Sequence, residues 1–209
     1  MKFYKFCIYV LLPFALLIVF ASLLTTKQYM ILSENRYESH QDITFDYDYA
    51  SDRIMGYLNY KYDNLLFGET PEDDEVILYD VEIRHMVDVK NVYTGLRITA
   101  VISLILALFS IFMLRRKNKY VLFMSLKRIY RGPLALTAFL GVAFAIDFDG
   151  AFTIFHKIFF RNDDWLLPSD SVLLQLLPLN FWLVSAVSIL ILFVGSLFLI
   201  RFLNQKLNK

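Results

Sequence analysis

The sequence predicts an all-α polytopic membrane protein. Four transmembrane helices are expected, with a small extracytoplasmic module, mostly helical with short strands, between the first and second spans. Three observations predict it. The chain of 209 residues is 57% hydrophobic with a mean hydropathy of +0.50, where an average soluble domain is nearer half apolar. It contains four apolar stretches near the ~20 residues that a helix needs to cross a bilayer. Its charges are segregated although the net charge is only +1.

The first apolar stretch, Phe6–Leu24, follows Lys2 and Lys5. It is long for the apolar part of a signal peptide, and no small-x-small cleavage site follows. An uncleaved span over about 6–26 is expected, with a kink at Pro13. The second span is read at 96–114 and the fourth, almost uninterrupted, at 181–203. The third begins near Pro133, but Leu134–Ile146 is only 13 residues long. It reaches full length by continuing through Asp147 and Asp149, giving an expected span of 134–154. Ionisable side chains at that depth are expensive and mark candidate functional sites; at the headgroup boundary they would simply be hydrated.

Orientation follows from charge. Segments 1–5, 115–133 and 201–209 carry twelve basic residues and no acid, while all 20 acidic residues fall within 27–94 or 147–180. The bias of Lys and Arg toward the cytoplasm places both termini and the loop 115–133 inside. Segments 27–95 and 155–180 are then extracytoplasmic, and the whole chain is read as one membrane domain. Cys7 is the only cysteine, which excludes an intrachain disulfide and a cysteine-rich metal site. It also lies at the wrong end of the first span to accept a lipoprotein lipid.

In the first outer segment, 41–46 has strand-compatible residues. Over 48–66, Ile54, Leu58, Tyr62 and Leu65 form the stripe of an amphipathic helix. Residues 68–75 read as a turn and an acidic, solvated run. A helix over 82–96 is expected to run into the second span, with His85, Asp88 and Val92 on one face. In the second outer segment, Asp149, Phe152, His156 and Phe159 share a face if the third span continues. A short interfacial helix is expected over 170–177. Trp165 and Trp182 fit an interfacial aromatic belt. Phe148, Phe152, Phe155, Phe159 and Phe160 are read as lipid-facing or core, with lining of an acyl-chain groove as the functional alternative. His40 lies in a polar loop and is read as surface.

Two runs carry a resemblance. His85-Met86-Val87-Asp88-Val89-Lys90 precedes the second span. Phe155-His156-x-x-Phe159-Phe160-x-Asn162-Asp163-x-Trp165-Leu166-Leu167 follows the third. Both motifs, in order on one side of a four-span topology, resemble the hallmark segments of the lipoprotein intramolecular transacylase (Lit) family. The resemblance implies a multi-pass enzyme of the bacterial plasma membrane; a monomer among membrane lipids, with no cofactor and no metal, is the expectation set beside it. Its substrate would be a lipoprotein with a diacylglyceryl-modified N-terminal cysteine, whose sn-2 acyl chain moves to the free α-amine to give the lyso form. The family's important histidines match His85 and His156. Asp88, Asp149, Asn162, Asp163 and Trp165 are the supporting candidates, with Asp88 and Asp149 orienting the imidazoles.

The residue chemistry suits such a transfer. The α-amine has a pKa of about 7.7–8.0, so a neutral imidazole can remove the ammonium proton and later protonate the leaving alkoxide. The tetrahedral oxyanion needs a donor. His156 is read as the proton shuttle and His85 as oxyanion donor or partner acid/base. Cys7 is on the inner side, and Thr153 and Ser169 lack a nucleophile motif, so direct transfer without an acyl-enzyme is expected. Two other classes remain: a metal-dependent membrane enzyme, although no HExxH-type pair is present, and a non-enzymatic membrane partner using 27–94 as a binding surface. Nucleic acid is excluded as a partner of that surface, because 27–94 carries fifteen acids against six bases.

Overall fold

The computed structural model describes residues 1–34, 47–66 and 78–208, apart from the side chains of 33 and 34. Among the described residues the regular secondary structure is all helical. The expected strand at 41–46, the turn and acidic run at 68–75, and His40 lie outside them. Four helices among the described residues are long and apolar enough to cross a membrane: Lys2–Leu24, Asp80–Lys117, Lys119–Ile146 and Leu179–Lys206. The chain divides into two compact units.

The first unit comprises 1–21, 95–154 and 187–209. Its opening helix is α1 (Lys2–Phe6), a π turn at Cys7–Leu11, and α2 (Leu12–Leu24). Pro13 has no N–H to donate back along the helix. Just ahead of it the ladder widens, with the Leu12 N–H bonding to the Cys7 carbonyl. Ile8, Leu12, Ala107, Leu114, Ile129, Phe193 and Leu197 are buried together, and Ala15, Ile18 and Ala100 form a smaller cluster. The alanines, with the buried Ser103 and Ser110, let helix backbones approach closely, as membrane packing favours. Ile105, Phe112 and Ile191 remain exposed, as side chains against lipid would be.

The third apolar helix departs from the expectation at both ends. The stretch expected as the loop 115–133 is largely helical: α5 (Asp80–Lys117) is followed by α6 (Lys119–Arg128) and α7 (Arg131–Ile146). Asn118 accepts a hydrogen bond from the Val121 N–H at 3.0 Å and starts α6. Pro133 falls in the first turn of α7, where its missing N–H costs nothing. At the other end the expected continuation to 154 does not occur. Asp147 leaves the helix at φ −144°, ψ 88°, and a new helix, α8 (Phe148–Phe159), begins. The Asp147 carboxylate accepts the Gly150 N–H at 2.9 Å, which is an N-cap bond. A Cβ at Gly150 would overlap the Asp147 carboxylate, so glycine leaves the cap undisturbed. The helix reaches spanning length toward the basic end, not through the acids.

The second unit comprises 22–94 and 155–186. It contains α3 (Lys27–Glu34), α4 (Tyr47–Leu58), the first turns of α5, the last turns of α8, α9 (Val172–Leu176) and the start of α10 (Leu179–Lys206). Met30, Ile54, Met55, Leu78, Met86, Leu176 and Phe181 share its core. The amphipathic helix expected over 48–66 ends at Leu58. The Met55 carbonyl accepts both the Asn59 N–H at 3.0 Å and Asn59 Nδ2 at 2.7 Å. Tyr60 then turns the chain at φ 63°. The Tyr62 ring folds back against Gly56, where a Cβ would meet it at 2.5 Å. Ile54, Leu58 and Leu65 are buried as expected, but Leu65 arrives from the return segment.

Candidate active site

The site is built from one end of α5 and the segment that follows α8. Asp80 and Glu82 begin α5, where negative charge meets the positive end of the helix dipole. Glu82 reaches back to accept the Tyr79 N–H at 2.7 Å, one half of a capping box. One turn further along comes His85. The second histidine, His156, occupies the last turn of α8.

The structure brings the two histidines together. Their ring centroids are 6.2 Å apart with planes inclined at 35°. Phe160 meets His85 edge-on at 5.2 Å. Trp165 stacks on His156 at 5.0 Å and 27°, and is 7% exposed where His156 is 9%. Trp165 thus packs on the site and is not part of a lipid-facing belt. Phe160, expected as lipid-facing or core, forms part of the wall around His85.

The turn after α8 shapes these contacts. Asn162 Oδ1 accepts the Asp164 N–H at 3.2 Å, an Asx turn, while Asn162 Nδ2 donates to Asp88 Oδ2 at 2.8 Å. Arg84 holds Asp164 with two bonds, Nε to Oδ2 at 3.0 Å and a terminal nitrogen to Oδ1 at 2.9 Å. Further on, Ser171 Oγ and the Leu173 N–H donate to Glu82 Oε1 at 2.5 and 2.8 Å. Residues 82, 84 and 88 along α5 therefore meet 171 and 173, then 164, then 162 of the returning chain. His85 sits within this ladder.

The supporting candidates separate accordingly. Asp88 engages Asn162 and influences His85 by its charge. Asn162 and Trp165 are in the site. Asp163 is exposed and gives its backbone carbonyl to the Leu166 N–H. Asp149 is exposed in the first turn of α8. Arg84, Glu82, Asp164 and Ser171 were not singled out by sequence reasoning. The position of Glu82 three residues after the helix cap was the one local signal available.

Electrostatics favour a neutral His85. Burial pushes its pKa below the usual imidazole value, and the neighbouring His156 pushes the same way; Asp88 and Asp164 partly oppose them. His85 lies well ahead of the apolar run that starts at Ile98. No described residue hydrogen-bonds to its buried Nδ1. Among the described residues, no three His, Cys, Asp or Glu side chains converge in a way that could hold a metal ion. Cys7 is buried within the first unit.

Comparison with known proteins places this arrangement. The family model described as "Lipoprotein intramolecular transacylase Lit" matches residues 3–182. The chain belongs to the Lit family. It is an acyltransferase by family and a multi-pass membrane protein by fold. Its fold is similar to the solved structure of the membrane-integral Lit from Bacillus cereus, with a TM-score of 0.76 at 20% identity, covering 99% of this chain and 94% of the other. Structures of variants of that protein with a histidine replaced by arginine or by alanine match at TM-scores of 0.72 and 0.72, each at 20% identity; they cover 99% and 98% of this chain and 91% and 92% of theirs. No curated protein matches the chain.

Proposed function

We propose that this Lit-family chain moves the sn-2 acyl chain of a diacylglyceryl-cysteine lipoprotein onto the α-amine of that cysteine, with His85 and His156 handling the protons. The observation that carries the reading is the pairing of the two imidazoles, a half-buried His85 whose buried Nδ1 is open and a buried His156, in a wall of Phe160 and Trp165.

The substrate contains both reactants. Attack of the amine on the sn-2 carbonyl closes a ring through N, Cα, Cβ, S, the glycerol C3 and C2, the ester oxygen and the carbonyl carbon. Attack on the sn-1 ester needs a larger ring. Holding the compact conformer therefore selects the chain and supplies much of the rate, since effective molarities of oriented groups reach about 10⁵–10⁸ M. A neutral imidazole takes the ammonium proton. The amine then adds to the carbonyl, and the tetrahedral oxyanion is met by an imidazole N–H. With the ammonium proton passed on to water, the imidazole takes the second proton from the added nitrogen; collapse breaks the bond between the carbonyl carbon and the ester oxygen, and the glycerol C2 alkoxide leaves as an alcohol after taking that proton from the imidazolium. No protein nucleophile is required. His156, in contact with Trp165, is assigned as the shuttle and His85, held neutral, as the donor to the oxyanion.

The charge segregation supports cytoplasmic termini and an outward-facing site acting on lipoprotein at the outer leaflet. Both histidines come from one chain, so a single copy carries the whole pair. The test is expression in a bacterium whose lipoproteins otherwise keep a free α-amine, with tandem mass spectrometry of the N-terminal lipopeptide. The expected product has unchanged mass with one acyl chain on nitrogen. A gain of one acyl mass would mean an external donor and would overturn the intramolecular mechanism.

A further inference from the structure

One charged group in the ladder is unlike the others. Glu82 is wholly buried, whereas the Arg84–Asp164 and Asp88–Asn162 bonds are exposed. A carboxylate removed from water is costly unless its lone pairs are met. Here one oxygen accepts the Tyr79 N–H, which closes the start of α5. The other accepts the Ser171 hydroxyl and the Leu173 N–H, 89 and 91 residues away. Capping α5 needs only the first oxygen. The second spends a buried charge on fixing where the returning chain meets the helix. Ser171 in turn accepts the Leu174 N–H at 3.4 Å and begins α9.

The placement matters because of what lies on either side. His85 is one helical turn beyond Glu82, and Trp165, stacked on His156, is on the chain that Ser171 pins. Exposed polar pairs are weak, since water competes with them and the side chains lose freedom. The buried junction is sheltered from that competition. We infer that Glu82 is a positioning residue for the acyl transfer: by anchoring Ser171 and Leu173 to the first turn of α5, it sets the spacing of the His85 and His156 imidazoles. The inference rests on the histidine-pair reading above.

Glu82→Gln tests it with little change of shape. An amide has one acceptor oxygen, so whichever way it turns, an N–H donor of Tyr79 or Leu173 faces its NH₂ group. Ser171→Ala is the milder variant, because Glu82 keeps both backbone N–H bonds. Each full-length variant is reconstituted in lipid vesicles with a synthetic diacylglyceryl-cysteine peptide, and kcat and KM are followed across pH, alongside thermal unfolding. The expected result for Glu82→Gln is a kcat lower by about 10–100-fold, the scale of a misplacement near 1 Å, with KM unchanged. Ser171→Ala changes kcat in the same direction and less.

The pH profile separates positioning from charge. The groups acting on His85 are His156, Asp88 and Asp164, on top of its burial. If the junction loosens, water reaches His85, its pKa rises toward the ordinary value, and the acid limb of kcat moves to higher pH. Loss of the Glu82 charge alone would leave the limb in place or move it to lower pH. A downward or absent shift, or a wild-type kcat in both folded variants, overturns the proposal. A loss of thermal stability with kcat and the acid limb intact also overturns it, leaving a structural role alone. If Glu82→Gln does not fold, Ser171→Ala decides on the same readouts. His156→Ala is run in parallel. If it stays active, the histidine reading itself falls; if it is inactive while Glu82→Gln and Ser171→Ala behave as wild type, only the positioning role falls.

Discussion

The two histidines stand on very different supports. His85 belongs to α5, a helix of 38 residues that runs on without interruption to Lys117. Its orientation is fixed by a continuous backbone ladder. His156 lies in the last turn of a helix of 12 residues that starts at the Asp147 break, and irregular chain follows Phe159. Its position depends on side chains: the stack with Trp165, the Asn162 and Asp164 bonds to α5, and the buried junction at Glu82. One partner is held by local structure and the other by contacts between residues far apart in sequence. Changes on the α8 side should therefore give graded losses, whereas replacing either imidazole should abolish the chemistry.

The largest effect is expected from the imidazoles themselves. His85→Ala and His156→Ala should each lower turnover by about 10²–10⁴-fold, the usual contribution of a positioned acid or base. The lipopeptide spectrum should revert to the free-amine form with the protein still folded in the membrane. If only one variant loses activity, the roles are not shared and the pair acts through a single catalytic group.

Next comes Trp165, which tests how far the α8 side depends on packing. Trp165→Ala removes a side chain that is 7% exposed and stacked on His156. Loss of a buried Trp costs about 3–5 kcal/mol in general, to be read as a fall in thermal stability. Activity should fall with it, and Trp165→Phe should restore most of both by keeping a ring in the stack. Restoration of stability without activity would give the indole a role beyond packing.

This unevenness also explains what the sequence could and could not reveal. The bilayer imposes a one-dimensional rule on length and charge, so four apolar helices and their charge pattern are legible residue by residue. His85 and Asp88 fall on one face by helical spacing, and the motif around His156 resembles a known family segment. The helix break at Asp147 was hidden because the apolar pattern of 148–159 continues in phase; only the Asp147–Gly150 cap separates the helices. The end of α4 at Leu58 was hidden for a similar reason, since Leu65 keeps the stripe while arriving from a return segment. The ladder was not legible at all. Glu82–Ser171, Arg84–Asp164 and Asp88–Asn162 join residues 89, 80 and 74 apart, and no spacing rule connects them. Asp88 looked like an imidazole partner because it lies three residues from His85, and it proved to hold Asn162.

A smaller effect should follow from the break that gives α8 its own start. Gly150→Ala places a Cβ where the Asp147 carboxylate lies and should eject the cap. Loss of an N-cap costs about 0.5–2 kcal/mol, visible as a modest drop in thermal stability. Asp147→Asn, which retains the acceptor oxygen, should be nearly silent. If Gly150→Ala is equally silent, the cap does not hold the helix, and the break owes its position to something else.

The smallest and most informative change is Asp88→Asn. The Asp88 carboxylate raises the pKa of His85 against the larger downward pushes of burial and His156. Removing its charge lets His85 fall further below the ordinary imidazole value of about 6.5. A protonated His85 would repel the imidazolium that His156 becomes when it takes its proton, so turnover needs His85 neutral and the acid limb of the pH–rate profile should move to lower pH. Turnover at neutral pH should hardly change, since His85 is already neutral there. The new amide oxygen can still accept from Asn162, so the turn stays docked. Asp88→Ala removes both charge and acceptor; it should show the same shift together with a loss of turnover, because the α8 side then loses one of its ties. An acid limb that moves upward in Asp88→Asn, or a loss of neutral-pH turnover equal to that of Asp88→Ala, would mean that Asp88 acts on the reacting groups directly rather than through Asn162.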